Sequence, residues 1–422
     1  MMITTTTTRS LMLVLLSVVA VTVARANGEG GDAVAVQVDE FGDLHMNTSC
    51  PGSDCGGRKV FVNGQPVVEQ LLEAEAFVDA MAARLCEASS PLSVDATPGP
   101  DSASFSGVVL APNNNKLYMI PYGPDIIPIV DPLLKTVDTT TLYQFPGAVR
   151  NSWVDGVLSS TGLIVGVPGG AKAVLVIDPF SNTAEATSLA LNDERGFKWH
   201  GGVLADNGFI YCIPNNADTV LAVYPEKGLL NTFQLPATID TVAVGGMWRG
   251  GVKGRDGRIY GIPGTASSVL VIDPATNTFD VTSVSINVPP VLYRWQGGVL
   301  ASNGLIYVTP YNAEAVLVID PQHGTTSMLP LTSPVKAGWA GAVVNPVDGR
   351  IYMLPYDARH VLIVDPATNT VDETTADITN LAPPYHKWWN GAYIEATRTV
   401  YGFPRSAQGF LGVDADLASV CW

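Results

Sequence analysis

Charge is scarce in this chain. Only 15% of its 422 residues are Asp, Glu, Lys or Arg, and 23 Lys and Arg face 39 acids, for a formal net charge of -16. So few cations argue against a general nucleic-acid binder, which needs a basic footprint to meet phosphates. Low charge with 47% hydrophobic residues also excludes a disordered chain. There are five cysteines and no Cys-x-x-Cys, so neither a redox pair nor a zinc knuckle is indicated. His-Glu-x-x-His, Gly-x-Ser-x-Gly, a Walker loop and an EF-hand loop are all missing. No metal or cofactor is therefore expected, and the reading leans away from an enzyme.

Long apolar runs are also missing, with one exception at residues 11–24 (LMLVLLSVVAVTVA). That run is too short to cross a bilayer, so no transmembrane anchor is expected. Arg9 precedes it and Ala24-Arg25-Ala26 follows as a small-x-small site, so residues 1–26 read as a secretory signal peptide. Export puts the cysteines in an oxidising compartment. Cys50, Cys55, Cys86 and Cys421 are then disulfide candidates, with Cys50–Cys55 and Cys86–Cys421 preferred among three connectivities. Cys212 lies in an apolar stretch and reads as a buried free thiol. Asn47-Thr48-Ser49 is a glycosylation sequon.

What the chain has in excess is glycine, 41 residues, and proline, 30. Many of them fall in phase. A unit of aromatic-x-Gly-small-Val, an Asn-Gly or Asp-Gly turn, an Ile-Tyr-x-Ile-Pro strand and a Val-Leu-Val-Ile-Asp-Pro strand recurs seven times. It opens at Phe105, Trp153, Trp199, Trp248, Trp295, Trp339 and Trp389, and its second strand ends at Pro121, Pro168, Pro214, Pro263, Pro310, Pro355 and Pro404. Each unit holds four short strands joined by tight turns. Four strands per period of this length, seven times over, predicts an all-β, seven-bladed β-propeller over residues 105–422. The glycines after each opening aromatic place the first strand innermost. Blade two departs there, with Asp155-Gly156, which makes Asp155 a candidate channel-facing group.

The seventh unit lacks a fourth strand of its own. Ser93 to Thr97 keeps the spacing of one, so the N-terminal segment is expected to close the ring. Residues 27–104 then form a preamble containing this latch and an amphipathic helix over Val67–Ala88, with Leu71, Leu72, Val78, Met81 and Leu85 at helical spacing.

The stretches IYVTPYNAEAVLVID, from Ile306 to Asp320, and VLIVDPATNTV, from Val361 to Val371, resemble the extracellular Tyr-Val-Thr-Asn repeat family. The resemblance spans about residues 105–415. The chain departs from that family in its Pro after the second strand and its Trp-x-Gly-Gly opening. The resemblance implies a secreted or surface-displayed propeller, and it transfers no catalytic residue.

Two loop sets share one face of a propeller, those before each opening aromatic and those after each second-strand Pro. Seven of the 21 Lys and Arg beyond residue 26 cluster around the opening aromatics: Arg150, Arg195, Lys198, Arg249, Arg294, Lys336 and Lys387. The residue after each aromatic varies as Ser106, Val154, His200, Arg249, Gln296, Ala340 and Asn390. The second loop set adds Tyr122, Asn215, Asn216, Tyr311, Asn312, Tyr356 and Asp357. Aromatics, amides and cations together suit an anionic, glycan or protein ligand. The repeated Trp residues read as packing between blades, but Trp388 stands outside the repeat and is expected at the surface. The Asp-Pro residues Asp131, Asp178, Asp273, Asp320 and Asp365 read as turn caps. The leading expectation is a secreted binding module for an extracellular ligand, with no nucleic-acid partner. The alternatives are a propeller hydrolase or lyase using His200 and His386, with His360 also on that face, and a structural surface protein.

Overall fold

The computed structural model describes residues 105–416 except 124, 144–151, 187, 192–194, 237–244, 290, 380–384, 406 and 408; elsewhere only the backbone of five short strands is described. Two compact units divide the chain, Met1–Ser89 and Ser90–Val420. In the first, Val34–Val38 pairs with Leu44–Thr48 and Phe61–Val62 with Gln65–Pro66, both antiparallel. The signal peptide, the helix over Val67–Ala88, Arg150, Cys50, Cys55, Cys86 and Cys421 lie outside the described residues, as does the Asn47 side chain.

The second unit is a seven-bladed propeller of four-stranded antiparallel sheets. Blade three is typical, with Trp199–Leu204, Ile210–Pro214, Thr219–Tyr224 and Leu229–Gln234 in sequence order from the axis outward. The ring closes as the latch spacing implied. Leu92–Asp95 pairs with Phe410–Asp414 as the outer strand of blade seven, beyond Trp388–Ile394 and Thr399–Pro404.

The second strands are buried at every residue in blades two to six, so they show no in-and-out alternation. A strand covered by a sheet on each face needs apolar groups on both. Seven apolar clusters fill the seams between successive blades. Six contain a fully buried Trp, and the seventh, between blades seven and one, packs Phe105 with Phe403 and Phe410.

Those Trp residues correct the register of blade seven. Trp153, Trp199, Trp248, Trp295, Trp339 and Trp388 each donate Nε1–H to a carbonyl at or just before the start of the third strand of their own blade, on Ala173, Thr219, Ser268, Ala315, His360 and Gly409. Trp388 is thus the repeat tryptophan and wholly buried, and Trp389 takes the variable position after it.

Counting the opening aromatic as zero, position two forms the innermost ring: Gly107, Asp155, Gly201, Gly250, Gly297, Gly341 and Asn390. A Cβ on Gly201 would sit 2.6 Å from the Gly250 Cα, and one on Gly341 would sit 2.9 Å from the Asn390 Cα. Glycine is required at these two positions because backbones of adjacent blades touch there at the axis. Cys212, in the second strand of blade three, is fully buried and free.

Candidate functional site

One face of the propeller is built by a repeated clasp. The side chains of Asn216, Asn312 and Asp357 each accept the backbone N–H two residues before the next blade's tryptophan, from Gly246, Ala337 and His386, at 2.8, 2.9 and 2.6 Å. The residues there take positive φ, including Phe197, Tyr293, Ala337 and His386 at 51, 53, 50 and 54°. The clasp joins the two loop sets, and Phe197 and Tyr293, at the same place before the tryptophans of blades three and five, are exposed. Asn216, Asn312 and Asp357, expected to meet a ligand, therefore tie loops together. Asn215 is buried and donates Nδ2 to the Phe197 carbonyl at 3.0 Å.

Most of the basic rim is structural as well. Lys198 is fully buried, and its ammonium donates to the carbonyls of Gly169, Ala171 and Arg195 at 3.0, 2.9 and 3.2 Å. Arg294 is buried and donates to Pro289, Thr265 and Ala266 carbonyls. Each of these cations staples its blade to the preceding one, because it fills the seam with donors that loop carbonyls need. Lys387 is buried in the same position, and burial pulls its pKa down to about 8. Arg195 is neutralised by Asp218 at 2.8 Å. Lys336 is exposed at the rim.

Arg249 behaves differently. Its guanidinium carbon lies 4.7 Å from the Tyr293 ring centre, 5.5 Å from Tyr311 and 6.0 Å from Trp389. A second arginine, Arg405, lies 4.6 Å from Trp389, 5.6 Å from Tyr122 and 5.9 Å from Tyr356. Neither forms an ion pair among the described residues. Burial lowers the Arg249 pKa, and Arg405 adds repulsion, yet an arginine stays charged near neutral pH. Burial also holds the Tyr122, Tyr311 and Tyr356 hydroxyls above the ordinary phenol range, so they remain neutral partners of the cations.

Trp389 joins the cluster. From blade seven its ring reaches His200 of blade three at 6.5 Å, Tyr311 of blade five at 6.4 Å and Tyr356 of blade six at 5.3 Å. It therefore extends over the mouth of the ring. His200 sits 3.5 Å from Arg249, Nε2 to Nη2, and its buried Nδ1 has no partner. Burial first, then Arg249, hold this histidine well below its ordinary pKa, so it is neutral. Gln296, at the same repeat position in blade five, is buried with one end of its amide unpartnered. Below this layer, Asp155 and Asn390 each accept the next residue's N–H, from Gly156 at 2.8 Å and Gly391 at 2.9 Å. Desolvation raises the Asp155 pKa to about 7.

Of the residues singled out from sequence, the structure gathers Arg249, His200, Tyr311, Tyr356 and Tyr122. It sets Lys198, Arg294 and Trp388 apart as packing groups. His386 stacks on Tyr356 at 4.8 Å, and His360 packs on Trp339 at 5.3 Å. Trp389, Arg405 and Tyr293 were missed. Arg405 had a signal, because it directly follows Pro404 as Tyr122, Tyr311 and Tyr356 follow their prolines. No group of three or more His, Cys, Asp or Glu among the described residues is arranged to hold a metal. The repeated Asp-Pro aspartates cap turns, as with Asp131 accepting from Leu133 and Leu134 and Asp365 from Ala367.

No family model matches the chain, and no curated protein matches it. Solved structures do. Virginiamycin B lyase from Staphylococcus aureus superposes with a TM-score of 0.59 at 12% identity, over 74% of this chain and 95% of that one. The extracellular domain of a putative one component system from B. thetaiotaomicron gives 0.55 at 12% identity, over 76% of this chain and 42% of that one. Kuenenia stuttgartiensis hydrazine synthase gives 0.51 at 13% identity, over 75% and 96%. At such identities the likeness establishes the propeller fold alone. Among the described residues no helix is long and apolar enough to cross a membrane.

Proposed function

We propose that the protein is a secreted binding module whose ligand docks at the Trp389 mouth through an anionic group. The observation that carries this reading is the pair Arg249 and Arg405, two guanidiniums on aromatic faces with no carboxylate partner among the described residues. Lys198 and Arg294 of the same rim are spent on carbonyls and Arg195 on Asp218, which leaves these two and the exposed Lys336 among the described rim cations to recognise something else. Guanidinium forks favour carboxylates and phosphates, and flat rings beside them add apolar contact. An extracellular setting fits the N-terminal signal pattern and the structural neighbour from an extracellular domain. The test is a binding screen of the purified protein against charged and neutral glycans, small anions and extracellular proteins. Arg249→Ala and Arg405→Ala should each weaken a ligand found this way at least tenfold. Unchanged affinity in both variants sinks the assignment.

A second reading, a propeller lyase or hydrolase, is favoured by one feature, the neutral His200 with its unpartnered Nδ1. Turnover that survives His200→Ala would dispose of it. The lyase among the structural neighbours adds fold analogy and no residue.

A further inference from the structure

The mouth offers three kinds of recognition at once, and together they narrow the ligand. The first is charge. Arg249 and Arg405 both lie against one ring, at 6.0 and 4.6 Å from the Trp389 centre, so positive charge is concentrated at the mouth. The Asp357 carboxylate accepts the His386 N–H at 2.6 Å and forms no ion pair with either arginine among the described residues. The second is a flat surface. Trp389 is partly exposed, and Tyr293 beside Arg249 is 38% exposed. The third is unused hydrogen-bonding capacity. His200 and Gln296 are 8% and 4% exposed, and the first lies against Arg249, yet His200 Nδ1 and Gln296 Oε1 have no partner. Buried polar atoms are normally satisfied, so such atoms beside a mouth mark where a ligand or ordered water supplies the missing group.

Inorganic phosphate or sulfate satisfies the cations and leaves the rings, the His200 Nδ1–H donor and the Gln296 Oε1 acceptor unused. A neutral sugar satisfies the rings and these two polar atoms and leaves two arginines without an anion. A sugar ring that carries a carboxylate meets all three demands, with C–H faces for the indole, hydroxyls for His200 and Gln296, and a planar anion for guanidinium forks.

We propose that the mouth binds a sugar acid of the uronate class, its carboxylate held by Arg249 and Arg405, its ring stacked on Trp389 and its hydroxyls on His200 and Gln296. This rests on the binding-module reading above. A uronate reaches an extracellular protein either as a free acid or as part of an acidic polysaccharide.

The experiment is calorimetric titration of the full chain with D-glucuronate, D-galacturonate, oligogalacturonate, the methyl ester of galacturonate, galactose and inorganic phosphate. A uronate, as monomer or oligomer, should bind at least tenfold more tightly than galactose, the ester and phosphate. Oligomer binding without monomer binding assigns the site to a polysaccharide, and equal binding per residue assigns it to the free acid. Arg405→Lys keeps the charge but loses the fork, and should weaken the uronate at least tenfold while far-UV dichroism stays unchanged. Phosphate binding as tightly as the uronates, with loss in Arg405→Ala, overturns the sugar acid and leaves an anion-binding module. Equal binding of the ester overturns the carboxylate contact. If none of these compounds binds while the broader screen yields a ligand sensitive to Arg249→Ala, the sugar acid falls and the binding module stands. If no ligand at all depends on either arginine, both fall.

Discussion

Asp155 and Asn390 occupy the same place in blades two and seven, and each closes the same turn by accepting the following glycine's N–H, at 2.8 and 2.9 Å. One position of the inner ring therefore carries an ionisable carboxylate and its neutral amide counterpart in a common geometry. Desolvation raises Asp155 to about 7, while the hydrogen bond from Gly156 opposes the rise. In the unfolded chain the same carboxyl titrates near about 3.9. The folded state thus binds the proton more tightly, and stability is lost as pH climbs from about 4 to about 7. Asp155→Asn removes that dependence. The variant should match the wild type near pH 4 and exceed it at pH 8 by on the order of a few kcal/mol. Thermal unfolding across this range checks it; parallel curves for the two proteins would refute the burial of charge.

Trp388 and Trp389 are neighbours with opposite duties. Trp388 is fully buried and donates to the Gly409 carbonyl at 3.0 Å, whereas Trp389 is partly exposed among the mouth aromatics. Trp388→Ala should cost about 3–5 kcal/mol, the range for deleting a core aromatic. Trp389→Ala should cost about 1 kcal/mol or less and remove ligand binding instead. Urea denaturation of the two variants separates the roles, and equal losses would mean that the register of blade seven is wrong.

The fold was legible because one packing problem is solved seven times, so prolines, glycines and aromatics recur in phase and cancel local noise. The site was less legible, for physical reasons that differ by residue. The opening aromatic lies 15 residues before its proline in blades two to five but 16 before it in blades one, six and seven. Counting 15 back from Pro404 lands on Trp389, and only burial and the Nε1 hydrogen bond identify Trp388. The basic rim misled because a lysine fully enclosed by carbonyls and a lysine in solvent look alike in sequence. Lys198 and Lys336 are such a pair. Arg405 was readable from its column after the prolines, but along the chain it lies away from the tryptophans around which the other rim cations cluster.

Lys198 should behave as a staple. Replacing it with Met keeps the stem and removes the donors, leaving the Gly169, Ala171 and Arg195 carbonyls short of a partner. The expected cost is about 1–3 kcal/mol, with ligand affinity unchanged. Lys336→Ala, at an exposed position, should stay within about 0.5 kcal/mol. Chemical denaturation measures both, and a harmless Lys198→Met would show that the seam does not depend on the ammonium.

Crowding at the axis can be separated from backbone strain by two glycines of the same ring. Gly201 and Gly297 have φ of +80 and +69°, so alanine is strained at both. Left-handed backbone costs an L-residue about 1–2 kcal/mol, and this part is shared. The surroundings differ. A Cβ at Gly201 meets the Gly250 Cα at 2.6 Å, while at Gly297 the nearest atom, the Gly341 Cα, is 3.9 Å away. Backbone cannot swing aside as a flexible side chain does, so Gly201→Ala forces blades three and four apart. Gly297→Ala should therefore lose only the conformational cost, and Gly201→Ala should lose more by at least about 1 kcal/mol, the usual scale of overpacking. Unfolding midpoints of the two variants give the difference. Equal losses would mean that the inner ring tolerates a methyl group and that its glycines answer to backbone conformation alone.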